Sequence, residues 1–453
     1  MTGVRWWRPG IWGLGGLGIW GLGGLMVALS VAGAALHRPG AVDIGSDTRK
    51  LLFTGLLLLA TGIYFAAVTM VLDGRVALLP VLVVAAAMQL VAFAAPPFLS
   101  TDIYRYVWDG RVQNAGINPY RYRPVDGALA ALRDRAIYPH INRAATARTI
   151  YPPASQIVFA VVNWISPGGR LALWGIKAAM VLAMAVAVGA MLRLLALAGL
   201  PLPRVLVLAW NPLAAWEFAG NGHVDALAIA ALALAMLALA RERAGRAGAW
   251  LGAAVLVKFL PLAVAPSFWR QGRWRAALAC VAVIVLLYLP YLDVGLHVFG
   301  FLARYPHNEG LDTTHGFYLL ELMSAFARVP RWAPAAYVLA GLAVLGVVAW
   351  RAAFGAGGRG IQAMAGSVLA LAGIFTVIIS PHYAWYFPWV ALPACLVPRP
   401  WAIALAALPA VFYADPLKAN LAIRSLVYLP VAALALRGYV AALRRSTPGI
   451  SLS

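Results

Sequence analysis

Cysteine is nearly absent from this chain, and the two present, Cys280 and Cys395, lie inside apolar runs. That argues against a disulfide framework or a thiolate metal site. Charge is also scarce: 11% of the 453 residues are Asp, Glu, Lys or Arg, against 63% hydrophobic. A water-soluble domain of this length would have too little polar surface at that composition. Lysine occurs only as Lys50, Lys177, Lys258 and Lys418, so arginine carries almost all of the net charge of +21. The arginines sit at the ends of apolar segments and in one long polar stretch rather than in a basic domain, which speaks against nucleic acid as a partner. No soluble domain, low-complexity tail or internal repeat is visible.

What is present is a succession of apolar segments near the ~20 residues that cross a bilayer. They fall at roughly 11–36, 51–72, 76–95, 170–196, 203–219, 224–240, 275–292, 331–350, 361–380, 383–398, 400–414 and 420–437. The expected fold class is therefore all-α, a polytopic transmembrane bundle of about 12 spans. Arg5 and Arg8 place the N-terminus in the cytoplasm, and three crossings bring the chain outside at Pro96. Basic segment ends at Arg351, Arg359, Arg399, Arg437, Arg444 and Arg445 return to the inner side, so the C-terminus is also expected to be cytoplasmic.

A further apolar segment, 247–269, has arginines on both flanks: Arg241, Arg243 and Arg246 before it, Arg270, Arg273 and Arg275 after it. One crossing cannot join two cytoplasmic flanks, so with Lys258 and Pro261 near its middle the segment reads as a re-entrant hairpin. The division expected is a three-span segment 1–95, an extracytoplasmic loop with surface helices 96–169, spans 170–292 with the hairpin, a second outer loop 293–330, and C-terminal spans 331–453. The apolar stretches IYPPASQIVFAVVNWI and GFYLLELMSAFARV are too short or too amphipathic to span and fit helices lying along the outer surface.

The stretch from Pro96 to Pro153 is the one long run that is both polar and aromatic. Asp102 and Asp109 are seven apart, about two helical turns, so on a helix they share a face with Arg105 and Tyr106. A carboxylate at a membrane edge suits a general base that takes a proton from an acceptor hydroxyl. Arginines such as Arg105 and Arg111 suit a phosphate leaving group. The plainer alternative is that both carboxylates simply pair with Arg105 and Arg111 to fold the loop. GINPYRYRP makes a turn with a wall of Tyr and Arg in which Tyr120 faces a sugar ring or belongs to the interfacial belt.

Lys258, inside LVKFLP, is costly unless it has an anionic partner at a hairpin tip, such as phosphate, or snorkels to an interface. In NGHVDA, Asn221, His223 and Asp225 either close one helix and cap the next or contact the donor. A metal built on two close ligands is weakly supported. Glu217 is expected to pair with His223 or an arginine. His382 and Tyr383 in SPHYAWY are an interfacial loop or a substrate contact.

TDIYRYVWDGRVQNAGINPY, TIYPP, WNPLAAWEFAGNGHVDALA, LGAAVLVKFLPLAVAP and SPHYAWY, in this order, resemble the bacterial polyprenyl-phosphate-sugar-dependent glycosyltransferases of the GT-C superfamily. The nearest likeness is to glycosyltransferase family 87 and the polyprenol-phosphomannose-dependent alpha-mannosyltransferases. The resemblance implies an inverting transferase that moves a hexose, mannose foremost, from a polyprenyl-phosphate donor to a lipid or glycan acceptor. It implies a site at the outer face of a bacterial cytoplasmic membrane, with Asp102 as the catalytic carboxylate, Asp109 as the alternative, and Lys258 near the lipid phosphate. No cofactor or divalent metal is expected. A transporter or flippase of the same lipid is the contrasting reading, disfavoured because the polar groups gather at one face rather than at the midplane of repeated helices.

Overall fold

The structure is a computed structural model and describes residues 17–37, 45–74, 76–300, 307, 310–356, 358–415 and 420–446. Arg5, Arg8, Lys418 and much of the segment 301–309 lie outside the described residues. All regular structure among those described is helical.

Three apolar helices come first: α1 (Leu17–Ala35), α2 (Ser46–Leu72) and α3 (Leu78–Ala94). The short polar helix α4 (Asp102–Asn114) follows, then an irregular stretch to α5 (Pro153–Ile165) and the long α6 (Gly169–Leu197). A chain of short helical pieces over 202–220 leads to α7 (Asp225–Ala240), α8 (Ala244–Val257) and α9 (Pro266–Tyr288). The C-terminal part holds α10 (Ala333–Phe354), α11 (Ile361–Ile379), α12 (Pro400–Ala407) and α13 (Leu421–Ser446).

Among the described residues seven helices are long and apolar enough to cross a membrane, or eight if the bent pair Pro212–Gly220 and Asp225–Ala240, turned by 115°, counts as one broken span. Leu78–Ala94, Ala244–Val257 and Pro400–Ala414 are apolar but shorter. The segments read as spans at 203–219 and 383–398 are series of short helical turns rather than single rods. Asn211, Pro212 and the π-helical turn Ala215–Gly220 break the first, while Pro388 and Pro393 interrupt the second. Large apolar side chains such as Leu278, Leu286, Leu339, Leu342 and Leu436 project outward from the long helices, as lipid-facing positions do.

The hairpin segment shows its geometry through two glycines. A Cβ at Gly248 would stand 2.0 Å from the Ala276 carbonyl oxygen, and one at Gly252 would stand 2.7 Å from that of Cys280. Both partners advance by four residues in the same direction, so α8 runs parallel to the later part of α9. The chain must therefore double back between Val257 and Ala276. Lys258, extended at φ −158°, is the residue at which α8 stops.

Helix α5 is inside-out. Ile157, Val161, Trp164 and Ile165 are exposed on one face, while Ser155, Gln156, Phe159 and Asn163 are buried on the other. The buried polar groups satisfy backbone: the Asn163 amide donates to the Val107 carbonyl at 2.7 Å, and the Ser155 hydroxyl to that of Val257 at 2.8 Å. Gly110 of α4 lies so close that a Cβ there would meet the Phe159 carbonyl oxygen at 2.2 Å. This contact clamps the site helix to its support.

Candidate active site

Helix α4 opens with its carboxylate. The Asp102 backbone N–H donates to Ser100 Oγ at 3.1 Å, and a negative side chain in the first turn meets the positive end of the helix dipole. Asn142 donates to Asp102 Oδ1 at 2.5 Å, and the Tyr151 hydroxyl donates to Oδ2 at 3.3 Å. Burial, then the charge of Asp102, pushes the Tyr151 hydroxyl well above the ordinary tyrosine value, so it stays a donor. Tyr106, raised by the same causes, stands edge-on to it at 4.9 Å.

Asp102, Arg105 and Tyr106 line a cavity of about 730 Å³, within the range of small-molecule sites. Lys258 lines it too. Its ammonium pairs with Asp225 at 2.8 Å and lies 3.7 Å from the centre of the Tyr386 ring. Tyr383, Trp385 and Tyr386 form an aromatic wall, with the rings of Tyr383 and Trp385 stacked at 4.5 Å. Phe375, Ile379 and Phe412 add an apolar side, and Arg143, Arg148 and Lys50 a basic one.

Asp109 does not line the cavity. It is 1% exposed, accepts from Arg105 Nε at 2.9 Å and from Gln156 Nε2 at 3.1 Å, and so anchors the arginine one helical turn away. Arg105 also donates to the Ala147 carbonyl at 3.3 Å, which holds the turn that presents Asn142. The alternative of loop-folding ion pairs thus describes Asp109, while Asp102 has no arginine partner among the described residues. Arg111 points away: it pairs with Asp134 at 2.6 Å and donates to the Leu132 carbonyl.

Tyr120 is buried beneath the loop. It donates to the Tyr151 carbonyl at 2.7 Å and meets Tyr291 edge-on. Asn221 turns to backbone, accepting from the N–H groups of Phe98 and Leu99. His223 contacts Glu217 at 2.8 Å, both buried, and stacks at 4.3 Å under Trp385, so it backs the aromatic wall rather than entering the cavity. Asp225 reaches the site through Lys258. His382 sits 3.4 Å from the Gly316 carbonyl, outside the lining, whereas Tyr383 is in it. Among the described residues no group of three or more His, Cys, Asp or Glu side chains converges.

Residues 11–270 match the family described as alpha-(1->6)-mannopyranosyltransferase, N-terminal domain, of the MptA_B family. The chain belongs to this family. It is a glycosyltransferase of a mannosyltransferase class, in agreement with the resemblance read from its motifs. No curated protein and no solved structure matches it. The matched region carries Asp102, Arg105 and Lys258, while the aromatic wall 383–386 lies beyond it. The cavity of this mannosyltransferase-family chain is thus completed by its C-terminal part.

Four residues that the sequence reading did not single out matter here. Asn142 and Tyr151 hold Asp102, Gln156 holds Asp109, and Trp385 builds the wall. Gln156 was the detectable one, as one of two amides, with Asn163, in a largely apolar helix.

Proposed function

We propose that the protein transfers mannose from a polyprenyl-phosphate donor to a lipid or glycan acceptor at the extracytoplasmic face of a bacterial cytoplasmic membrane, with inversion. The observation that carries this is a carboxylate without an arginine partner among the described residues, Asp102, in the wall of one cavity with a lysine, an arginine and an aromatic wall. Asp102 takes the proton of the acceptor hydroxyl as that oxygen bonds to the anomeric carbon. The bond from that carbon to the phosphate oxygen breaks, and its electron pair leaves with polyprenyl phosphate. Lys258 and Arg105 meet the charge of the departing phosphate. A single displacement turns a beta-linked donor into an alpha product, the configuration in the family's description.

The sidedness rests on charge. The cavity takes its walls from the start of α2, the stretch after α3, the end of α11 and the residues before α13, which the positive-inside rule assigns to one outer face. The hairpin with Lys258 at its tip then opens to the same face. The scheme needs no metal, because cationic side chains neutralise the phosphate.

The test is transfer of radiolabelled mannose from synthetic polyprenyl-phosphate-mannose by membranes containing the protein, with EDTA in one arm. Label passing into a new lipid or glycan with the parent protein, and not with Asp102→Asn, is the expected result. Full activity of Asp102→Asn would overturn the assignment of the base, and movement of intact donor across liposomes without transfer would favour a transporter.

A further inference from the structure

The last turn of a helix leaves carbonyls in need of donors, usually N–H groups of the residues just beyond it. Helix α3 is followed by Ala95, Pro96 and Pro97, and the prolines have no N–H to give. Lys177 of α6 takes their place. Its side chain is 1% exposed, and its ammonium donates to the carbonyls of Ala92 at 3.4 Å, Phe93 at 2.6 Å, and Ala95. An ammonium has three N–H donors, and three carbonyls receive them. The rings of Trp174 and Phe93, at 4.9 and 5.5 Å from Nζ, add cation–π attraction.

Just downstream, the N–H groups of Phe98 and Leu99 converge on Asn221 Oδ1 at 2.9 and 2.8 Å. Asp102 follows three residues after Leu99. The segment leading into the site is therefore held by its carbonyls from one distant helix and by its N–H groups from the turn just before another. Neither Lys177 nor Asn221 lines the cavity. Ordinary helix capping would not require a charged side chain from an element more than eighty residues away. The double proline creates the need, and it sits where displacement would shift the start of α4.

We infer that Lys177 is a positioning residue for Asp102, setting the place of the carboxylate relative to the cavity without touching substrate. This rests on the reading of Asp102 as the base. A misplacement near 1 Å at a reacting group costs roughly a hundredfold in rate, so the effect belongs in kcat rather than in donor binding.

The experiment is a double-mutant cycle on the full-length protein in membranes. It uses Lys177→Met, Lys177→Gln and Lys177→Arg, each alone and combined with Asp102→Glu, which keeps a carboxylate and so a residual transfer rate, with kcat, donor KM and donor-lipid binding measured throughout. Expected for Lys177→Met is a fall in kcat of at least tenfold with donor KM and binding within threefold, and partial recovery in Lys177→Arg. With Asp102→Glu in place, whose carboxylate is already displaced, the Lys177 change adds little further. Multiplicative losses, or kcat and donor binding failing together, would overturn the inference and leave Lys177 a general structural group. If Lys177→Met does not fold, Lys177→Gln, which keeps N–H donors without the charge, runs the same cycle. Failure of the underlying reading looks different: Asp102→Asn alone would then remain active.

Discussion

Lys258 and Asp225 form an ion pair at 2.8 Å, with 16% and 9% of their side chains exposed, and the lysine of that pair lines the cavity. A phosphate arriving there would meet an ammonium already balanced by a carboxylate. Asp225 therefore fixes the lysine in place, and under the proposed function it would moderate the lysine's hold on the donor phosphate and favour release of the spent lipid.

This arrangement separates two variants. Lys258→Met is expected to raise donor KM by about 10- to 100-fold, the worth of a charge-assisted hydrogen bond of about 1.5–3 kcal/mol, and to strand Asp225. Losing one partner of a buried pair costs about 3 kcal/mol. The double variant Lys258→Met/Asp225→Leu should melt higher than Lys258→Met alone. Thermal unfolding in detergent compares the two, and a double variant no more stable than the single would show that the pair is not coupled.

Asn142→Leu should lower kcat by about tenfold or more, because the 2.5 Å hydrogen bond orienting Asp102 is lost. Tyr151→Phe should cost less, its bond being 3.3 Å. Steady-state kinetics at saturating donor reads both; equal losses would argue against the geometric ranking.

Gly110→Ala should destabilise the chain by about 1–3 kcal/mol and impair transfer, since its Cβ would lie 2.2 Å from the Phe159 carbonyl oxygen and force α4 off α5. A variant with unchanged melting temperature and activity would contradict the close packing seen here.

The Arg111–Asp134 pair predicts a pH effect. Burial acts to raise the Asp134 carboxyl, but the hydrogen bond and charge of Arg111 and the N–H groups of Ile137 and Tyr138 outweigh it, so the group lies below its ordinary value of 3.8. A carboxylate lowered on folding lends stability that is complete above its unfolded value and is lost as pH falls through the folded one. Melting temperature should thus drop at acid pH in the parent and drop less in Asp134→Asn. Identical acid profiles would remove the pair as a contributor.

The sequence determined a good deal by itself. Composition alone required a helical membrane protein, because so few polar side chains cannot cover a soluble surface. The seven-residue spacing offered Asp102 and Asp109 a shared face if the stretch was helical, and the partner expected for Glu217 was His223 or an arginine, of which the structure shows His223. The ordered motifs gave the family, since short local patterns survive in sequence. What only the tertiary structure decided is which of like residues faces the cavity. Asp109 and Arg111 are as promising in sequence as Asp102 and Arg105, yet Gln156 and Asp134, 47 and 23 residues further along the chain, claim them. Asn221 likewise serves backbone N–H groups 122 and 123 residues away rather than substrate. Lys177 looked like one more lysine in an apolar run until the carbonyls before Pro96 were seen to need it. Hydrogen-bond partners so distant in chain leave no periodic trace, because only folding brings donor and acceptor together.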